Sequence, residues 1–358
     1  MASCPQEKSS YPMQQPLFLL GVPRSGTSLL YGLLNQHPQI ALLYEGDLPL
    51  LRPLFLKARS KTHWLQRWNF WNGSIERHKL DVDGISSAIA DARAATESAY
   101  QQYARQKGAV IWGCKSADQY DSLPYLAKLF PNARFVIVWR DPADVCRSVI
   151  RARTMSSPRF RQRGLIHRIL FGCYHMARQC ERLKKQGLAV HEVQYEGLLE
   201  NPVAELSSMC RFLGIEYDPR MESLENSDRS ALHPGEHNTL AAGDKIVAHR
   251  KQAEVLPAEL RIKIEKYTNL WRTKHPDWLL ATYADGTSGK KPNVFSRFFD
   301  RAFYRLLRTR DFAVIIAYCY VPMRLLEAYR ILNGHYYLTW QEYARGCTDR
   351  SRPWLGKS

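Results

Sequence analysis

The chain has 358 residues, 45% hydrophobic and 24% charged, the proportions of a globular protein, which exclude a wholly disordered or collagen-like chain. Lysine and arginine number 51 against 34 acidic residues, a formal net charge of +17. That balance favours anionic partners (phosphates, sulfates, nucleic acid or a membrane surface) without choosing among them.

Residues 1–16 are polar, rich in Gln, Ser and Pro, and read as a disordered leader without the apolar core of a signal peptide. Leu17-Phe-Leu-Leu-Gly21 is a short continuous apolar run, as expected of a strand buried on both faces. A helix is predicted over 27–36, stopped at Asn35-Gln-His-Pro38, where His37 reads as a capping residue. Further apolar runs at 40–44, 109–112, 134–139 and 189–193 stand between helical patterns at 142–152, 165–186, 202–213 and 257–271. This alternation predicts an α/β fold, a parallel sheet with helices on both faces.

Gly, Ser and Pro cluster at 284–293, which reads as a linker between a main domain over 17–283 and a C-terminal helical appendage over 294–358. In the appendage Arg297, Arg301, Arg305 and Arg308 share a helical face, beside Phe295, Phe298, Phe299, Phe303, Leu306 and Leu307. Such a stripe either packs on its own domain with the arginines outward, or makes a peripheral contact through 294–323 with an anionic membrane. The apolar run 312–323 reads as the second arm of a helical hairpin and, at twelve residues, falls short of the roughly twenty that cross a bilayer. Eight scattered cysteines form no CxxC, and no His pair has metal-ligand spacing, so no metal is expected and a reducing, cytoplasmic setting is.

The segment Gly21-Val-Pro-Arg24-Ser25-Gly26-Thr27-Ser28 lies between the first strand and the first helix, with glycines spaced as in a phosphate-cradling P-loop. Backbone N–H groups at the helix start can surround an anion there. Thr27 holds the position where such loops carry lysine, so positive charge comes instead from Arg24, a planar multi-donor group. The plain alternative is a strand–helix turn in which two glycines only permit tight geometry.

The run 17–30 with 33–38 resembles the 5′-phosphosulfate loop of sulfotransferases that use 3′-phosphoadenosine-5′-phosphosulfate (PAPS), closest to the protein-tyrosine and carbohydrate types. A second stretch, 135–148, resembles the family's other phosphate signature. The resemblance implies a P-loop-like three-layer fold, with Arg24, Ser25, Gly26, Thr27 and Ser28 on the phosphosulfate and Arg140 and Ser148 on the 3′-phosphate. Pairing of Arg140 with Asp141 or Asp144 is the plain alternative. The stretch 193–214 resembles a largely structural part of the family, in which Tyr195 either touches cofactor or serves as a core tyrosine.

The implied reaction moves a sulfuryl group from PAPS to a hydroxyl acceptor on a glycan, lipid, small molecule or protein tyrosine, leaving adenosine 3′,5′-bisphosphate and using no metal. The family's catalytic glutamate stands 21 residues after the loop arginine, which is Glu45 here, with Asp47 as its neighbouring alternative. Lys115, expected just after a buried strand, matches the lysine that stabilises the leaving oxygen. Ser116-Ala-Asp118 follow it where the tyrosine enzymes have an acid and a proline, which leaves the acceptor class open. A P-loop kinase or nucleotide-binding protein is the competing enzyme reading, and a non-catalytic PAPS-fold binding protein the third. Seven arginines between Arg147 and Arg168 either form a solvated face or draw in an anionic acceptor. Interleaved stacking aromatics and a helix-turn-helix pattern are both lacking, so nucleic acid is not an expected partner.

Overall fold

The computed structural model describes residues 16–46, 48–51, 91–117, 119–120, 122–155, 164–225, 256–272 and 294–322, with a few single positions between 75 and 85 and at 227, 324 and 325. The leader, the linker and the expectation for Asp47 therefore lie outside the described residues, apart from Pro16. Five strands form one sheet: β1 (Leu17–Leu20), β2 (Ile40–Tyr44), β3 (Ile111–Ser116), β4 (Arg134–Trp139) and β5 (Ala189–Gln194). Their order is β2-β3-β1-β4-β5, and every pairing is parallel.

The strands are apolar on both faces because both faces are covered. Leu17 and Leu19 pack with α1 (Thr27–Leu34), α6 (Tyr195–Glu200) and α7 (Pro202–Leu213) through residues such as Leu30, Leu198 and Met209. Phe18 and Leu20 point the other way, into α2 (Ala92–Lys107), α3 (Leu123–Leu129), α4 (Pro142–Met155) and α5 (Leu165–Lys185). The expected three layers are present. A third apolar cluster joins α4 and α5 to α8 (Ala258–Arg272) and α9 (Val294–Tyr320) through Cys146, Phe171, Ile264 and Tyr304.

Some expectations need correction. Strand β3 runs to Ser116, so Lys115 lies inside it, beside Leu19 and Tyr44, rather than after it. The apolar run 109–112 ends at Gly113, and Lys115 beyond it is a poor strand residue until a partner compensates its burial. Strand β5 is an edge with only Val193 fully buried. The residues 312–320 do not form a second arm; they continue α9 as one helix of 27 residues. Among the described residues no helix is long and apolar enough to cross a membrane.

Gly113 lets the sheet close around β1. A Cβ there would lie 1.8 Å from the Leu17 carbonyl oxygen, so any side chain would force β1 and β3 apart.

Candidate active site

Strand β1 lies between β3 and β4, while the chain leaves it toward β2, so the loop after β1 opens at the topological switch of the sheet. In parallel sheets that crevice, beyond the carboxyl ends of the strands, is where ligands bind. Glu45, Lys115, Arg140 and residues 21–28 all stand at or near those strand ends.

The loop turns through Ser25 N–H to the Val22 carbonyl at 3.1 Å and enters α1 at Gly26. Gly26 has φ 103°, in the left-handed region, and no side chain caps the helix. The first-turn N–H groups of a helix have no partner within it and carry the positive end of the dipole. A Cβ on Gly26 would lie 2.2 Å from Cδ2 of Tyr195, because that ring lies directly against the loop. Tyr195 opens α6 and also sits under Arg140, whose guanidinium carbon is 4.4 Å from the ring centroid.

Two segments distant in sequence meet here. Arg24 Nε donates to Ser148 Oγ at 2.9 Å, and Arg140 Nη1 donates to the Arg24 carbonyl at 3.1 Å. The aromatic ring and the loop carbonyl, rather than an ion pair with Asp141 or Asp144, thus hold Arg140. Asp141 instead accepts from the Ala143 N–H at 2.7 Å, and Asp144 pairs with Arg147 at 2.7 Å. Ser25 Oγ and Arg140 Nε are buried and make no hydrogen bond within the protein. Orphaned buried donors converging on a helix start fit a tetrahedral oxyanion.

Beside this cradle, Lys115 Nζ donates to Glu45 Oε1 at 2.9 Å, with side-chain exposures of 2% and 22%. The ammonium also stands 4.1 Å from the centroid of the Tyr44 ring. Glu45 has φ 48° and its N–H donates to the Lys115 carbonyl at 2.7 Å, a turn that swings its carboxylate back over the strand ends. Among the described residues, non-glycine positive φ occurs at Arg24, Glu45 and Lys79. Two of these three are residues the sequence marks for catalysis, and such backbone strain concentrates at functional sites.

Three contributors escaped the sequence reading. Tyr44 covers Lys115 and shares a 3.2 Å hydroxyl hydrogen bond with Ser28, bridging cradle and ion pair. His78 accepts from the Tyr44 N–H at 3.3 Å and so holds the end of β2. Glu196 accepts from the Asp141 N–H at 3.1 Å; burial pushes its carboxyl above the usual range, against the pull of that bond and of Arg140. Adjacency to Glu45 was the only signal for Tyr44, and nothing local marks the other two. His37 is structural as expected, its Nε2 donating to the Glu216 carbonyl at 2.9 Å. Among the described residues no group of side chains is arranged to hold a metal ion. Arg159, Arg161 and Arg163 of the basic run lie outside the described residues, as does the side chain of Arg153.

Residues 16–219 match the model of the sulfotransferase family, more than half of the chain. A putative protein-tyrosine sulfotransferase of Caenorhabditis briggsae is 27% identical over 221 residues, covering 58% of this chain and 68% of the relative. Protein-tyrosine sulfotransferase 2 of Gallus gallus is 26% identical over 302 residues, covering 75% of each. Among solved structures, the sulfotransferase domain of the Synechococcus PCC 7002 olefin synthase superposes with a TM-score of 0.50 at 21% identity, covering 74% of this chain and 97% of that one. The chain belongs to the sulfotransferase family and is a sulfotransferase.

Proposed function

We propose that this enzyme takes its sulfuryl group from PAPS and delivers it to a hydroxyl acceptor, with Glu45 as the general base. The observation that carries the reading is the joining of two anion-binding elements by the Arg24–Ser148 and Arg140–Arg24 hydrogen bonds, with a buried Lys–Glu pair beside them. Residues Arg24 to Ser28 would hold the 5′-phosphosulfate and Arg140 with Ser148 the 3′-phosphate, while Tyr195 sets the spacing between the two. When bound, PAPS supplies an activated sulfuryl group on a phosphate leaving group.

The chain's own residues then have separate tasks. Glu45 accepts the proton of the acceptor hydroxyl, so the oxygen that attacks is the better nucleophile. Arg24 and Lys115 present cationic donors where negative charge grows on the equatorial and leaving oxygens. Tyr44 covers the lysine from the sheet side and keeps its stem from solvent. The lysine position of a triphosphate-binding P-loop is held by Thr27, which is buried and uncharged, so a kinase-type grip on β- and γ-phosphates has no support. A phenolic tyrosine is the acceptor that the two named relatives favour. A reducing compartment suits Cys114, Cys146, Cys173, Cys180 and Cys210, all of them buried free thiols.

Calorimetry with adenosine 3′,5′-bisphosphate in EDTA, together with ³⁵S transfer from labelled PAPS to a tyrosine-bearing peptide, tests the reading. Tight metal-independent binding is expected. Glu45→Gln is expected to leave binding unchanged and to lower turnover by about 10²- to 10⁴-fold. Preference for ATP with magnesium would overturn the donor, and undiminished kcat in Glu45→Gln would overturn the base.

A further inference from the structure

Among the described residues, helix α9 is docked by one face. Tyr304 and Leu307 are buried, with the Tyr304 ring 4.8 Å from that of Phe171 on α5. Asp300 pairs with Lys266 of α8, and its carbonyl accepts from His167 Nε2 at 3.3 Å. At 100° per residue these docked positions lie on one side of the helix. The opposite side carries Phe298 (67% exposed), Phe299 (68%), Leu306 (64%), Phe312 (52%), Ile316 (37%) and Tyr320 (38%). Six large apolar residues on one solvent-facing side of one helix exceed the scattered surface apolar residues of ordinary proteins.

The shape and charge of this face select its occupant. These six residues span an arc of about 140°, and Phe303, 42% exposed, flanks the docked side with its ring 4.8 Å from that of His167 on α5. The arc is wider than the narrow a/d seam by which two helices pair. Arg301 borders one edge of the arc and Arg310 the other, while Arg305 lies exposed within it beside Phe312 and Phe298. A second copy of the same helix would set arginine against arginine at those edges, which is repulsive. A surface of anionic headgroups over acyl chains matches both features: the aromatic and aliphatic side chains enter the hydrocarbon boundary while the arginines stay at headgroup level. The absence of a spanning segment among the described residues agrees with a helix that would lie in the interface.

We propose that α9 is an interfacial helix that seats the enzyme on an anionic lipid bilayer, with the Phe298–Tyr320 side inserted and Arg301, Arg305 and Arg310 on the headgroups. Because one face of α9 is packed on α5 and α8, docking needs no rearrangement of the catalytic domain. This proposal does not depend on the identity of the acceptor.

The test is co-sedimentation of the full chain with phosphatidylcholine vesicles and with vesicles containing 30% phosphatidylglycerol, at low and high salt. Binding to the anionic vesicles is expected to exceed that to neutral ones by at least tenfold, and to weaken as salt rises. Phe298→Ser/Phe299→Ser/Leu306→Ser is expected to abolish it. Arg301→Gln/Arg305→Gln/Arg310→Gln, which removes three positive charges, is expected to weaken it by about a hundredfold, at roughly 1 kcal/mol per charge near such a surface. Unchanged affinity for adenosine 3′,5′-bisphosphate in both variants establishes that the fold is retained. Equal binding to neutral vesicles, no binding at low salt, or unchanged binding in the charge variant would overturn the proposal. So would a dimer in sedimentation velocity that the serine variant dissolves while vesicle binding is absent.

Discussion

Gly26→Ala tests whether the loop and the Tyr195 ring form one unit. The new Cβ would lie 2.2 Å from Cδ2 and 2.7 Å from Cε2 of Tyr195, and the backbone would hold alanine at φ 103°. Left-handed backbone costs about 1–2 kcal/mol for a residue with a Cβ. Relief of the overlap costs about 1–3 kcal/mol more, because Tyr195 is 7% exposed and stacked under Arg140, so its ring has nowhere to move. The sum is a destabilisation of about 2–5 kcal/mol. In a Tyr195→Ala background only the backbone part remains, about 1–2 kcal/mol, which leaves a coupling of about 1–3 kcal/mol between the two sites. Urea unfolding of the four proteins of this cycle, followed by tryptophan fluorescence, measures it. Calorimetry with adenosine 3′,5′-bisphosphate is expected to show the same coupling, since the overlap moves Arg140 and the loop together. An equal cost for Gly26→Ala with and without the tyrosine ring would refute the reasoning, and Tyr195 would then be an ordinary core residue.

Two further outcomes follow from the geometry. Ser148→Ala removes the oxygen that receives Arg24 Nε and one donor assigned to the 3′-phosphate; the KM for PAPS is expected to rise about ten- to a hundredfold with little change in kcat, as loss of uniform binding predicts. His175 lies among Arg178, Arg301, Arg182 and Arg308, and burial first, then those charges, lower its pKa from 6.5 to about 4. A depressed histidine pKa means the unfolded chain binds the proton more readily, so this stabilisation is complete above about pH 6.5 and is lost as pH falls toward 4. Thermal melts at matched ionic strength are expected to show falling Tm between pH 7 and 5, with a shallower slope in His175→Gln. Burial lowers the pKa of His167 and His191 in the same direction, so a residual slope remains in that variant.

Local chemistry made the phosphate loop legible. A buried apolar run, a glycine turn and a helix start are all set by neighbours within about ten residues, and so is the strand-to-helix passage carrying Arg140 and Ser148. The parallel three-layer architecture followed from the same kind of signal, since strands bare of polar residues need helices on both faces. What the chain alone leaves open is which distant groups meet. Arg24 reaches Ser148 across 124 positions, and Glu45 reaches Lys115 across 70, because β1 is flanked by β3 and β4 and those strand ends converge. Lys115 looked like a residue past the strand because its partner, 70 positions earlier, is invisible to any local pattern. Tyr195 became a platform for Arg140 only when β5 was laid beside β4, which brings the start of α6 against Gly26. The amphipathic character of α9 was likewise written in its residues, but hydrophobic periodicity does not say which apolar side faces protein. Packing of Tyr304 and Leu307 against α5 decided that, and left the phenylalanines facing outward.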